Sequence, residues 1–242
     1  MSERHLRCSS DDIAGAVILV GDPGRAEQIS TMLRKPSLVN ANRGLLTFTG
    51  DYKDTKITVA STSMGAPSAA IVVEELCNLG ASVFIRVGSA GGMAPDIGSG
   101  DLVIATAAVR EEGTSSAYIK LSFPAVSDYA LTNIVMRRAH QVNPAALSGI
   151  VLTHDAFYRG QSEEDLKKYC EAGVLVREME TSCVFIVSKI RKARAAALFA
   201  IGGNILRPNE RSPKDFLKAE ADAIQIALDS LVEAIEKGLL RK

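Results

Sequence analysis

Three arginines and one pair of glutamates are the residues whose settings invite chemistry. Val20-Gly21-Asp22-Pro23-Gly24-Arg25 runs an apolar strand into a glycine turn and then a helix start. Such a junction presents free backbone N–H groups and the positive end of a helix dipole. Arg25 falls in the first turn of that helix, where a cation is unfavourable unless it serves an anion or an acid. A tight turn without a ligand is the plainer reading, and the missing Lys-Ser/Thr spacing excludes a Walker motif. Arg86-Val87-Gly88-Ser89-Ala90-Gly91-Gly92 forms a second junction. Arg86 interrupts an apolar strand, and a buried guanidinium there requires either a carboxylate partner or a bound anion. The glycines after it allow backbone to approach a ligand closely, and Ser89 adds a hydroxyl. Arg43, in Asn42-Arg43-Gly44, reads alone as an ordinary surface arginine. Glu180, in Glu178-Met179-Glu180, reads alone as a helix-start glutamate favoured by the macrodipole.

The elements that must position these residues follow from apolar periodicity. Strands are predicted over Ala16–Val20, Leu46–Thr49, Lys56–Ser61, Val83–Val87, Leu102–Val109, Ile150–Thr153 and Ala196–Ile201. Helices are predicted over Pro23–Lys35, Pro67–Leu79 (stopped by Gly80), Tyr129–Gln141, Ser162–Glu171 and Thr181–Ala193. Ser212 caps a last helix with Pro213 at its first position and Asp215 in a capping-box-like place. Ile224, Ala227, Leu228, Leu231 and Ile235 give that helix one apolar stripe. Strands alternating with helices, with no linker or repeat, make one α/β domain with a largely buried sheet. Ligands of such folds collect beyond the carboxyl ends of the strands, where both arginine junctions lie.

Composition narrows the functions further. Lys plus Arg and Asp plus Glu are each 28, so no global field draws in nucleic acid or an anionic membrane. Cys8, Cys77, Cys170 and Cys183 show no zinc spacing, and their scatter suits a reducing compartment. The first residues are polar, and no apolar run approaches the roughly 20 residues of a membrane span. A cytoplasmic protein without membrane partners is the expectation. His140 and His154 carry no motif and read as structural.

Taken together in order, Gly21–Arg25, the Arg43 segment, Ser63-Met64-Gly65-Ala66-Pro67-Ser68, Arg86–Ser89 and Glu178–Glu180 resemble the nucleoside phosphorylase family. That family includes uridine phosphorylase and the hexameric purine nucleoside phosphorylases. The resemblance runs from His5 through the last helix and implies a single domain over 1–242. Its fold would be three-layered, a central mixed and partly barrel-like sheet flanked by helices. Phe123-Pro124-Ala125-Val126 and Phe157-Tyr158-Arg159-Gly160-Gln161 are closer to the uridine branch.

The resemblance implies phosphate held by Gly21 (through its backbone), Arg25, Arg86 and Ser89, with Arg43 entering from a neighbouring subunit. It implies ribose held by Met179 and Glu180, with His5 also from the neighbour. Phe157 would stack on the base and Gln161 would read it. Arg86 and Glu180 are the implied catalytic residues, the glutamate lying beside the cationic sugar of the transition state. Phosphate is a co-substrate, and neither cofactor nor metal is implied. Gly44 stands where the potassium-binding members have a glutamate. Sites shared between subunits imply a homo-oligomer, a hexamer built as a trimer of dimers.

The base pocket departs from both branches. Glu163 replaces an arginine of the uridine branch, and Gly202-Gly203-Asn204-Ile205 matches neither its Asn-Arg nor the purine branch's Ser-Asp. Arg207 or Arg211 could supply a substitute cation. The expected reaction is uridine plus phosphate to uracil plus ribose 1-phosphate. A purine nucleoside phosphorylase is the first alternative, followed by a nucleosidase and a nucleoside-binding protein without catalysis. Retention of all three arginines argues against hydrolysis, because water needs no anion site.

Overall fold

Five strands close into a ring at the centre of the molecule, and the rest of the sheet unrolls from one of them. The computed structural model describes residues 3–159 and 161–240. In chain order the strands are β1 (Ala16–Val20), β2 (Arg34–Asn40), β3 (Thr47–Tyr52), β4 (Thr55–Ser61) and β5 (Val83–Gly92). They continue with β6 (Leu102–Glu111), β7 (Ala125–Val126), β8 (Leu147–His154), β9 (Val174–Glu178) and β10 (Arg194–Asn204). The α-helices are α1 (Pro23–Ser30), α2 (Ala66–Asn78), α3 (Thr114–Tyr118) and α4 (Tyr129–Val142). Three more follow: α5 (Glu163–Glu171), α6 (Thr181–Ile190) and α7 (Pro213–Glu236).

The strand order is β10-β6-β8-β9-β5-β1-β4-β3-β2, and a further β10–β5 pairing closes β10, β6, β8, β9 and β5 into the ring. The ring is mixed: β6–β8, β8–β9 and β10–β5 are parallel, while β10–β6 and β5–β9 are antiparallel. Outside it, β5, β1 and β4 are parallel and β3 and β2 return antiparallel. The expected three layers are present. One core packs α2 and α6 on the sheet, through residues such as Val72, Leu76, Cys183 and Phe185. The other packs α1, α4 and α7 on the opposite face, through Ile29, Leu131, Ile224 and Leu228 among others. A smaller cluster seats Leu166, Tyr169 and Cys170 of α5 on Met93, Leu152 and Val174.

Local chemistry sets several boundaries. Ser212 caps α7 by accepting from the Asp215 amide, with Pro213 at the first position as expected. Gly80 takes φ +102° just past α2, a conformation with little steric cost only for glycine.

Two expectations need correction. The helix expected to reach Lys35 stops at Ser30, and Arg34–Asn40 is instead an exposed edge strand that tolerates Pro36. The glycine run after Val87 is not a loop: it stays in β5 to Gly92, paired with β10 and β9. Long-range pairing there overrides glycine's weak strand propensity.

Candidate active site

The carboxyl end of β1 lies beside the middle of β5, with Leu19 opposite Arg86 and Val20 opposite Val87. At the end of β1, Asp22 caps α1 by accepting from the Gly24 amide at 2.8 Å. That cap turns Arg25 inward, where it is buried. Its Nε and Nη2 donate to Glu220 Oε1 of α7 at 2.8 and 2.5 Å, and Nη1 reaches the Val87 carbonyl at 3.4 Å. The acid that a first-turn arginine demands is therefore Glu220, 195 residues away in sequence.

Arg86 is 3% exposed. Its Nε donates to Glu178 Oε2 at 3.2 Å, while Nη2 lies 3.1 Å from the same oxygen as an ion pair and donates to Glu180 Oε2 at 2.5 Å. The guanidinium lies over the Phe199 ring, 5.6 Å from its centroid. Its remaining nitrogen, Nη1, is buried and has no partner among the described residues. Of the two readings of a buried arginine, the carboxylate pair is realised, and one donor nitrogen is left over for a ligand. Burial works against the Arg86 charge, but the two carboxylates more than offset it and raise its pKa.

Glu178 is the anchor of this cluster. Its Oε1 accepts from Thr153 Oγ1 at 2.6 Å and the Thr181 amide at 3.0 Å, and its Oε2 also accepts from the Glu180 amide at 2.9 Å. Glu180 is the N-cap residue of α6, yet its side chain makes no capping bond. Instead its Oε1 accepts from the Gly65 amide at the start of α2, at 2.6 Å, so this glutamate does more than face the dipole of its own helix. Gly65, at φ +93°, starts α2 and aims that amide. Burial, seconded by Glu178 and opposed by Arg86, pushes the Glu180 carboxyl above the usual range. Gly88 leaves room for the arrangement, since a Cβ there would stand 3.0 Å from both Arg86 Nη2 and Phe199.

Around this centre Ser89 is exposed, and Gly21 and Met179 are half-buried. Phe157 is 62% exposed and meets Tyr158 edge to face at 5.2 Å. Gln161 has a buried Oε1 without a partner among the described residues, while Gly160 of the same motif lies outside them.

Arg43 and His5 form a separate patch. Arg43 is exposed at φ +58° between β2 and β3, and it bonds to no described residue. Neighbouring Asn42 donates to the His5 carbonyl at 2.9 Å, and His5 Nδ1 meets Glu75 Oε1 at 2.6 Å. Neither side chain bonds to Arg25 or Arg86; Arg25 reaches only the backbone next to Arg86, at the Val87 carbonyl.

The substitute cations resolve differently. Arg207 is occupied by Glu210 and the Pro95 carbonyl, at 2.5 and 2.8 Å. Arg211 is exposed and lays its stem across Gly203. Asn204 is a structural tie, donating to the Ala94 and Ile97 carbonyls at 2.7 and 2.8 Å. Sequence reasoning had no role for Glu178, Thr153 or Glu220. A second glutamate two residues before Glu180 was the only hint of the first, and nothing local marks the others.

Residues 16–236 match the model of the phosphorylase superfamily. A uridine phosphorylase of Treponema pallidum is 37% identical over 239 residues, covering 95% of this chain and 93% of the relative. A guanosine phosphorylase of Halorubrum lacusprofundi is 37% identical over 208 residues, covering 86% of each. The crystal structure of uridine phosphorylase from Vibrio fischeri superposes with a TM-score of 0.90 at 33% identity, covering 96% of this chain and 98% of that one.

Proposed function

The chain belongs to the phosphorylase superfamily, and on that footing we propose that it cleaves the N-glycosidic bond of a nucleoside with inorganic phosphate. Uridine is the substrate put first, giving uracil and ribose 1-phosphate, a step of pyrimidine salvage in the cytoplasm. The observation that carries the reading is the unpartnered Nη1 of buried Arg86 beside Glu180. A site that holds two carboxylates and still keeps a donor free is built to receive an oxyanion next to a polyol.

In this reading Arg25, Arg86, Ser89 and the Gly21 amide orient phosphate. Glu180 accepts from the ribose 2′- and 3′-hydroxyls, and Met179 packs on the sugar. A phosphate oxygen bonds to the anomeric carbon on the face opposite the base. As the C1′–N bond breaks, its electron pair leaves with the base, and Glu180 offsets the positive charge growing on the sugar. Phe157 stacks on the base and Gln161 reads it. Guanidinium groups supply the electrostatic assistance, so the reaction is assigned neither metal nor cofactor.

Arg43 and His5 act on a neighbour's site within a homo-oligomer, a hexamer of paired subunits. The Asn42–His5 bond supports this, because it holds the two residues in one patch away from their own chain's arginines. A purine nucleoside is the second reading, supported by the guanosine phosphorylase among the relatives.

The deciding experiment follows free base from a panel of pyrimidine and purine nucleosides, with and without phosphate. Release that needs phosphate and yields ribose 1-phosphate is expected. Release at the same rate without phosphate would establish a hydrolase instead.

A further inference from the structure

Arg177, on β9, is half-buried, and its side chain forms no hydrogen bond or ion pair with any described residue. Burial lowers its pKa, with no acidic neighbour to counter the effect. A guanidinium still stays protonated at neutral pH, so the chain holds a charge partly out of water without a counter-ion.

Its place is specific. Successive residues of a strand face opposite sides, so Glu178 turns to Arg86 while Arg177 turns the other way. On that side its strand partners are Leu152 of β8 and Gly91 of β5. Gly91 lies two residues beyond Ser89, on the same side of β5. A Cβ at Gly91 would stand 3.9 Å from Arg177 Cγ and 3.1 Å from Ile205, so little room is left there beside the arginine stem. His154, two residues past Leu152, shares this side, and its Nδ1 is buried without a partner among the described residues. Burial first, and the Arg177 charge after it, lower the His154 pKa, which leaves Arg177 as the charged donor. Helix α5 covers Leu152 and Val174, so the connection from His154 into α5, bearing Phe157 and Gln161, rims the same side.

We propose that Arg177 reads the base, donating to the 4-carbonyl of uracil or the 6-carbonyl of a 6-oxopurine. The inference rests on the phosphorolysis reading for its substrate class. When the C1′–N bond breaks, the electron pair spreads from the ring nitrogen onto that carbonyl, and the guanidinium stabilises it. Cytosine and adenine place an amino donor where these bases have a carbonyl. Against a group that can only donate, they are mismatched.

The test measures kcat/KM for uridine, inosine, guanosine, cytidine and adenosine in the wild type, Arg177→Met, Arg177→Lys and Arg211→Met. Calorimetry on free uracil and hypoxanthine accompanies it. Arg177→Met should lower kcat/KM for its oxo-nucleosides about tenfold to a hundredfold, the worth of a hydrogen bond to a charged group. The KM for phosphate should stay within about twofold, because that end of the site is untouched. Arg177→Lys should recover part of the loss, and it keeps the test open should the Met variant fold poorly. Arg211→Met should behave as the wild type. Unchanged kinetics in both Arg177 variants, a loss carried by Arg211→Met, or a wild type indifferent between the oxo- and amino-nucleosides of the ring class it cleaves (uridine against cytidine, or inosine against adenosine) would each overturn the proposal. If the wild type releases no base from any nucleoside, the phosphorolysis reading fails, and binding decides this one. Free base held at least about tenfold tighter by the wild type than by Arg177→Met supports it, and equal or absent binding refutes it.

Discussion

Glu180→Gln and Arg86→Met should separate catalysis from folding within one cluster. Arg86, Glu178 and Glu180 carry a net charge of −1, one guanidinium between two carboxylates. Glu180→Gln leaves a neutral Arg86–Glu178 pair whose acceptors and donors are mostly satisfied by Thr153 and backbone amides. The fold should tolerate that change. The reaction should not, because the group proposed to face the developing sugar cation loses its charge. Removing one such preorganised electrostatic contact lowers rate by about 10²–10³-fold.

Arg86→Met instead strands two buried carboxylates. Breaking a buried pair by deleting one partner costs about 3–5 kcal/mol. At about 2–4 °C per kcal/mol for a chain of this size, that predicts a fall in Tm of about 6–20 °C. Thermal unfolding by circular dichroism and steady-state phosphorolysis of uridine are the two assays. A Glu180→Gln enzyme within threefold of wild-type activity would refute the role given to that carboxylate. An unshifted Tm in Arg86→Met would refute the description of the cluster as a buried, mutually dependent set.

Other perturbations have equally definite outcomes. Arg25→Met should raise the KM for phosphate about tenfold to a hundredfold, with a smaller effect on nucleoside KM, read by initial rates at varied phosphate. Arg43→Ala should abolish most activity while leaving Tm within about 2 °C, since the side chain is exposed and unbonded among the described residues. Mixing Arg43→Ala with Glu180→Gln subunits under exchange conditions should restore activity, because hybrid assemblies contain sites with both residues intact; no recovery would argue against shared sites. Gly88→Ala should disable the enzyme by displacing Arg86, because the fully buried Phe199 on the other side of the new methyl cannot yield. A crystal of that variant would show the guanidinium moved, and an unmoved one with full activity would contradict the packing argument.

Much of the scaffold could be read from the chain because burial leaves a local trace. The apolar run Ala16–Val20 is a strand to the residue, and Ser212-Pro213 announces α7 through its own capping chemistry. Arg34–Asn40 escaped because an edge strand facing solvent needs no apolar alternation. The closure of the ring escaped for another reason: it depends on β10 pairing with β5, and no local pattern encodes a partner more than a hundred residues away. Arg86 demanded a counter-charge on physical grounds, but which carboxylate would answer was not decidable from spacing. Arg177 drew no notice because Val-Leu-Val-Arg-Glu is a short segment between two predicted helices with no strand predicted for it, and only the lack of a partner for its side chain among the described residues sets it apart.

The closed ring divides the labour of specificity. Arg86, Ser89 and Glu178 sit on strands of the ring, and Glu180 follows one closely, so the residues proposed to hold anion and sugar are fixed by the core. Phe157 and Gln161 sit on a connection that no strand pairs. Substitutions there can retune which heterocycle is accepted while the bond-breaking apparatus stays put. The proposed base donor Arg177, on β9, belongs to the rigid part, so the outer lip is free to vary around a fixed charge.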